Sequence, residues 1–438
     1  MVRLSMSPLS RGLVVESPHA TLDDNLAKFG MTVERLSKVP DQAALIDAIN
    51  RVGAEVLFKR SRVPVTREVI ESCPSLHAVQ LCCIGDDSVD KVAAADNGVL
   101  VFNDPASNAR SVVELAMGHL IALSRRLYET NARAHDNAWE KNATLRFEVQ
   151  GKRLGIVGLG NIGRQVARVA EAMGMDVWFY DNRAVAQEVG VEMGWDNAGS
   201  LEALFMGSDM VTVHTSARDA WGRDNEGMLD GALGLLGQNR SDNSPRIFLN
   251  LARGNVHSAD ALRTAVAAGA IRRAAVDVYP EEPRPGGVWT NPYGDLPNVV
   301  CTPHIGAATQ EAQPRIARRV ARTVGHFSRF GTLRDCVYAP RAALKVPRPL
   351  PGHAVLGVVH STSRGTKKAV HDAIYNAEAS TLGSAQQDFP VGIAYDLSVL
   401  DRPLQRSELE SLVEYAREVA GDETAIRAVR QVVVPEGW

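Results

Sequence analysis

RLGIVGLGNIGRQVARVAEAMGMDVWFYD, residues Arg153 to Asp181, is the stretch that decides the fold. The apolar run Leu154–Val157 reads as a strand. It turns at Gly158-Leu159-Gly160-Asn161-Ile162-Gly163, after which Val166, Val169, Ala170 and Met173 recur at helical spacing. A second apolar run, Val177–Tyr180, ends on Asp181. Strand, glycine turn, helix, strand and terminal carboxylate form the order of a dinucleotide site. Gly158 permits the tight turn and Gly160 lets the backbone approach a pyrophosphate. Gly163 brings the helix close to the strand, so that its first residues, Asn161 and Ile162, face the phosphates. A glycine pattern alone is weak, but the flanking strands and an acid 18 residues past Gly163 make it specific. A carboxylate at Asp181 accepts from a ribose 2′-hydroxyl and repels a 2′-phosphate, favouring NAD over NADP, a preference that the nearby Arg183 softens.

Around this centre, 438 residues exceed one hydrophobic core and imply two or three domains. Apolar residues are 45% and charged residues 23%, ordinary for a soluble globular protein. A net charge of −3 gives no reason to expect nucleic acid or an anionic membrane as partner. The five cysteines, Cys73, Cys82, Cys83, Cys301 and Cys336, suit a reducing compartment and show no zinc spacing. No apolar run approaches the ~18 residues of a membrane span, and the N-terminus lacks the apolar region of a signal peptide. A cytoplasmic enzyme is the expectation.

Upstream, Leu13–Glu16, Val56–Phe58, Val79–Cys83 and Val99–Phe102 read as short strands alternating with helices such as Leu22–Phe29 and Ala43–Asn50. That alternation predicts an α/β domain with a doubly wound parallel sheet, its ligand-facing loops at the carboxyl ends of the strands. Arg60, Arg62 and Gly85 occupy such positions. A long helical pattern, Asn108–Tyr128, leads through His135–Lys141 into the glycine turn. Beyond it, Met210–His214, Ile247–Leu251, Ala274–Val278 and Val299–Thr302 read as further strands of a second doubly wound sheet. The polar segment 222–245 resists assignment. Gln310–Phe327 is an arginine-rich helix, and Pro340–Pro351 is a linker by composition. After it, strands at Ala354–His360 and Val391–Val399 alternate with helices at Thr366–Glu378 and Glu408–Val419. This predicts a small ferredoxin-like α+β domain over residues 350–438.

Three polar residues end apolar strands in the second half: Arg253, Glu282 and His304. Hydride transfer on a 2-hydroxy acid needs a cation to grip the carboxylate and a base near neutrality to take the hydroxyl proton. Arginine and histidine fit those needs, and a carboxylate bonded to the imidazole orients it. Composition alone would equally allow three unrelated surface residues.

The runs Gly158–Gly163, Asn250–Gly254, Asp277–Pro283 and Thr302–Gly306 resemble the signatures of the D-isomer-specific 2-hydroxyacid dehydrogenases. The segments Cys83–Asp90, Phe102–Glu114 and His304–Gln313 are similar above all to the family's phosphoglycerate-oxidising members. The likeness runs from about Leu13 to Gly331. It implies a discontinuous substrate domain, residues 1–105 and 304–340, around an NAD-binding domain, residues 106–303. It implies His304 as general acid/base, Glu282 as its partner, and Arg253 as the group that binds the carboxylate. Asp181 would hold the ribose and Asp277 the nicotinamide carboxamide, with His214 also lining the cofactor. Arg60, Arg62 and Lys141 would contact a substrate phosphate, and Gly85 and Asn108 would complete the substrate set.

The resemblance further implies oxidation of 3-phosphoglycerate, a homodimer or homotetramer, and a C-terminal ACT-like regulatory domain in which His360 would bind L-serine. Thr362 and Ser380 stand there in place of two ligand-gripping asparagines. Thr215-Ser216 replace a usual proline after His214, and Ser241–Pro245 lengthens the approach to Arg253. The alternatives are a dehydrogenase for glycerate, lactate or another unphosphorylated 2-hydroxy acid, and an NAD(H)-sensing corepressor.

Overall fold

The computed structural model describes residues 2–218, 223–283, 287–339, 343–346 and 349–436. The chain divides into two compact units, Met1–Ser107 with Gln313–Trp438, and Asn108–Ala312.

In the first unit, β1 (Arg3–Ser5) is followed by β2 (Arg11–Val14), β3 (Thr32–Arg35), β4 (Val56–Lys59), β5 (Ala78–Leu81) and β6 (Leu100–Phe102). Strands β2 to β6 form a parallel sheet in the order β3-β2-β4-β5-β6. Strands β4, β5 and β6 are buried along their whole length and largely apolar, Lys59 and Gln80 excepted, as parallel sheets with both faces covered require. The connecting helices begin where a side chain satisfies a free N–H. Asp41 accepts from Ala44, Thr66 from Val69, and Asp90 from Ala93. The helix Ala312–Phe330 lays Ile316, Val320, Val324 and Phe327 on this core, with Phe327 against Phe102 at 5.0 Å between ring centroids.

The second unit carries a seven-stranded parallel sheet. Its strands are β7 (Arg153–Val157), β8 (Asp176–Tyr180), β9 (Asp196–Asn197), β10 (Met210–Val213), β11 (Ile247–Asn250), β12 (Arg273–Val276) and β13 (Val299–Cys301). Their order is β13-β12-β11-β10-β7-β8-β9, so the winding reverses between β7 and β10. Register pairs Val157 with Val213 and Tyr180, Val213 with Asn250, Asn250 with Val276, and Val276 with Cys301. The carboxyl ends of six strands are therefore level, and the loops leaving them share one edge, where such sheets bind ligands.

Back in the first unit, β14 (Leu333–Arg334) pairs with β15 (Ala343–Leu344) inside the expected linker, of which residues 340–342 and 347–348 lie outside the described residues. Then follow β16 (Ala354–Ser361), β17 (Thr381–Asp388), β18 (Ile393–Leu400) and β19 (Ile426–Val433), with helices Thr366–Asn376 and Arg406–Ala420 between them. The sheet runs β1-β19-β16-β18-β17. The piece is thus βαββαβ, two strands more than the sequence pattern indicates, and the N-terminal strand joins it in parallel to β19. Arg430 of β19 is buried, stacks on Phe327 at 4.3 Å and donates to the carbonyls of Phe327 and Ser328. Tyr395 donates to the Gly331 carbonyl at 2.9 Å.

The compact units divide the chain differently from the expected domains, and residues 106–107 fall with the first unit. Residues 304–312 fall with the nucleotide unit. The C-terminal piece shares a compact unit with the N-terminal residues rather than standing alone. In the polar segment 222–245, whose first residue lies outside the described set, Leu229, Leu233 and Leu236 are buried around the short helix Asp230–Leu233. No helix among the described residues is long and apolar enough to cross a membrane.

Candidate active site

The glycine turn leaves β7 with Gly158 at φ +92°, its N–H donating to the Tyr180 carbonyl. A Cβ there would lie 2.7 Å from the His214 carbonyl oxygen, and one on Gly163 would lie 2.1 Å from the Gly158 oxygen. Gly160, by contrast, faces open space, its nearest neighbour being the Arg183 guanidinium at 4.0 Å. Two glycines are therefore required by backbone crowding and one leaves a recess at the start of the helix Asn161–Ala172. That recess and helix terminus fit a pyrophosphate. Gly163→Ala pushes the helix off the turn, and we expect NADH affinity in fluorescence titration to fall by about tenfold or more. Unchanged affinity would contradict this reading.

Asp181 is buried at the end of β8, and four donors surround it. Leu159 N–H and Arg183 Nη2 reach Oδ2, while Arg183 N–H and Nε reach Oδ1, at 2.6–3.0 Å. Burial pushes its carboxyl up, but the Arg183 hydrogen bonds and charge prevail and hold it below the usual range. A carboxylate offers about four acceptor positions, so a ribose hydroxyl reaches Asp181 only when the Arg183 guanidinium turns away. His214 follows β10. Its Nε2 meets Thr212 Oγ1 at 3.1 Å, and burial pushes the imidazole down to about 3, leaving a neutral ring at the winding reversal.

The strands that precede Arg253, Glu282 and His304, namely β11, β12 and β13, are neighbours in the sheet. His304 Nδ1 lies 2.8 Å from both Glu282 oxygens, with both side chains partly exposed. With Nδ1 as donor to the carboxylate, Nε2 is the acceptor nitrogen of the neutral ring. Burial raises the Glu282 carboxyl, yet His304, the Tyr279 N–H and the Arg253 charge together hold it below its ordinary value. Arg253 is brought in by close backbone contact, since a Cβ on Gly254 would lie 2.0 Å from the Tyr279 carbonyl. The buried Asn250 side chain fixes that turn, donating to the Arg253 carbonyl and accepting from Ala252 N–H.

Asp277 has a role that spacing does not reveal. Its buried carboxylate accepts from Thr302 Oγ1 at 2.6 Å and from the N–H groups of Ile305 and Gly306 at 2.9 Å. It thereby holds the loop on which His304 sits at φ +54°, a left-handed conformation uncommon for a residue with a side chain. Tyr279 adds a second tie, its single hydroxyl proton shared between the carbonyls of Val276 and Thr302 at 3.2 and 3.1 Å.

The expected substrate-binding residues, phosphate contacts among them, are divided between the units. Arg60, Arg62 and Gly85 belong to the first, on loops after β4 and β5, whereas Asn108 and the exposed Lys141 belong to the second. Glu16, which the sequence reading passes over, organises the Arg60 loop. Its carboxylate accepts from the N–H groups of Arg60, Arg62 and Val63 at 2.6–2.8 Å. Lys59, fully buried, donates to the Arg60 carbonyl and to Ser88 Oγ, linking that loop to the one bearing Gly85. Asn108 is buried, with its Oδ1 unpartnered among the described residues.

Residues 117–306 match the D-isomer specific 2-hydroxyacid dehydrogenase, NAD binding domain. Over 365 residues, 82% of this chain and 80% of the relative, the chain is 35% identical to D-3-phosphoglycerate dehydrogenase of Haemophilus influenzae. The chain belongs to the D-isomer-specific 2-hydroxyacid dehydrogenase family. A second relative, D-3-phosphoglycerate dehydrogenase of Escherichia coli K12, is 34% identical over 404 residues, 90% of this chain and 93% of that one. As a member of this family the protein is an NAD-dependent oxidoreductase. The fold recurs in a crystal structure of a glyoxylate reductase from Paecilomyes thermophila, with a TM-score of 0.64 at 22% identity over 75% of this chain and 98% of that one.

Proposed function

We propose that this protein oxidises D-3-phosphoglycerate at C2 to 3-phosphohydroxypyruvate, the first step of phosphorylated L-serine synthesis. The observation that carries the chemistry is the His304–Glu282 pair on a loop tied to Asp277, with the Arg253 charge acting on Glu282. NAD, held at the Gly158–Gly163 turn and Asp181, would supply the acceptor for the hydride from C2. His304 Nε2 takes the hydroxyl proton as the C2–O bond becomes a carbonyl, and Glu282 stabilises the imidazolium that forms. Arg253 grips the carboxylate with its planar fork, orienting C2. Arg60 and Arg62 supply cations for the phosphate, with Lys141 a third. The names of the two curated relatives support that substrate over glycerate or lactate.

The βαββαβ piece is read as an ACT-like regulatory domain. There His360 is buried on β16, its Nδ1 held at 2.7 Å by the Ser361 carbonyl and its Nε2 without a partner among the described residues. L-serine is the effector to test at this position. The same reading places the protein in the cytoplasm as a homodimer or homotetramer. An NADH-linked assay with 3-phosphohydroxypyruvate, with and without L-serine, separates the parts. NADH oxidation is expected. Its absence overturns the substrate assignment, whereas turnover unaffected by L-serine, with no calorimetric binding, removes only the effector.

A further inference from the structure

A second concentration of charge lies in the first unit. One face of the helix Ala312–Phe330 is spent on the core, and another carries Arg315, Arg318, Arg319 and Arg322. Residues three and four apart on a helix are neighbours, so these guanidinium groups repel one another. Together with His326 and Arg334 they line a cavity of about 280 Å³. That is close to the lower end of small-molecule sites, about 300–1,000 Å³. Arg319 is neutralised, at 2.8 Å from Asp335 and 3.4 Å from Asp104, and Arg334 stands 3.8 Å from Asp335. Among the described residues, Arg315, Arg318 and Arg322 form no ion pair. The chain as a whole is slightly acidic, so this is not a sample of a basic surface. The half-buried His326, seated edge-on to Phe29 and Phe330, registers the same field. Burial first, then Arg322, Arg334 and Arg329, push its imidazole below the ordinary value.

We propose that this cavity binds a small phosphate-bearing anion, a site additional to Arg60, Arg62 and Lys141. Guanidinium forks pair with phosphate oxygens two at a time, and a group with two or more charges offsets several of these cations at once. The cavity holds a phosphoryl group with a short attachment, such as pyrophosphate or a phosphorylated metabolite, as well as free phosphate.

The full-length protein with bound NADH and ring-labelled histidine is titrated separately with inorganic phosphate, pyrophosphate and citrate, and the His326 resonance is followed by NMR. Saturable movement with pyrophosphate and a rise in the His326 pKa of roughly half a unit or more are expected. Tighter binding of pyrophosphate than of phosphate identifies a larger phosphorylated ligand, and equal binding identifies free phosphate. The double variant R318Q/R322Q, at exposed positions, should weaken the response about tenfold or more and leave kcat/KM unchanged. R315Q/R334Q provides a second test should the first not fold. The R60Q/R62Q variant should retain the response. No saturation, an undiminished response in either cavity variant, loss of it in R60Q/R62Q, or citrate binding as tightly as pyrophosphate would each overturn the proposal.

Discussion

Replacing His304 by alanine lowers kcat by about 10²–10⁴-fold, the contribution of a well-placed general acid–base. NADH affinity should be unchanged, because the glycine turn does not use the ring. The reason lies in geometry: Nδ1 is spent on Glu282 and Nε2 is left for the substrate proton. Glu282→Gln should then cost less than His304→Ala while moving the pH profile, since the neutral amide no longer stabilises the imidazolium. The depressed Glu282 carboxyl stays ionised throughout the neutral range. Any stability it lends is present above its ordinary value of about 4.3 and lost only as pH falls through the lower folded value. Steady-state kinetics of both variants decide the assignment. An alanine variant with wild-type turnover removes His304 from the mechanism.

Arg253→Ala is expected to reduce kcat/KM by about 10²–10³-fold, as loss of one partner from a charge-assisted pair in a substrate site typically costs about 2–5 kcal/mol. Arg253→Lys should recover little, because an ammonium is a point charge and cannot replace a two-pronged fork. The turn that presents Arg253 is fixed independently by Asn250 and by the contact of Gly254 with Tyr279, so neither substitution should unfold it. Thermal unfolding measured beside the kinetics checks this. A lysine variant with near-normal kcat/KM would show that charge alone suffices.

The strands of the nucleotide unit are legible in sequence because parallel strands buried on both faces are largely apolar, and the first turn is marked by its glycines. Asp181, Arg253 and His304 are legible for the same reason, each ending such a run. What escapes is of two kinds. The strand Thr381–Asp388 is an edge, largely exposed, so its residues TLGSAQQD carry no apolar pattern. The strand Arg3–Ser5 exists only through pairing with β19, far along the chain. The other kind is support. Glu16, Lys59, Asn250 and Asp277 act by holding backbone N–H and C=O groups of remote loops, and no local spacing records that. Arg183 stands beside Asp181 in the sequence, but its occupation of the carboxylate is a matter of side-chain geometry.

Dehydrogenation of a phosphorylated 2-hydroxy acid is tested by kcat/KM for D-3-phosphoglycerate against D-glycerate under one set of conditions. Charge-assisted contacts from Arg60 and Arg62 predict a preference for the phosphorylated substrate of about 10²-fold or more. Equal values for the two substrates would contradict it.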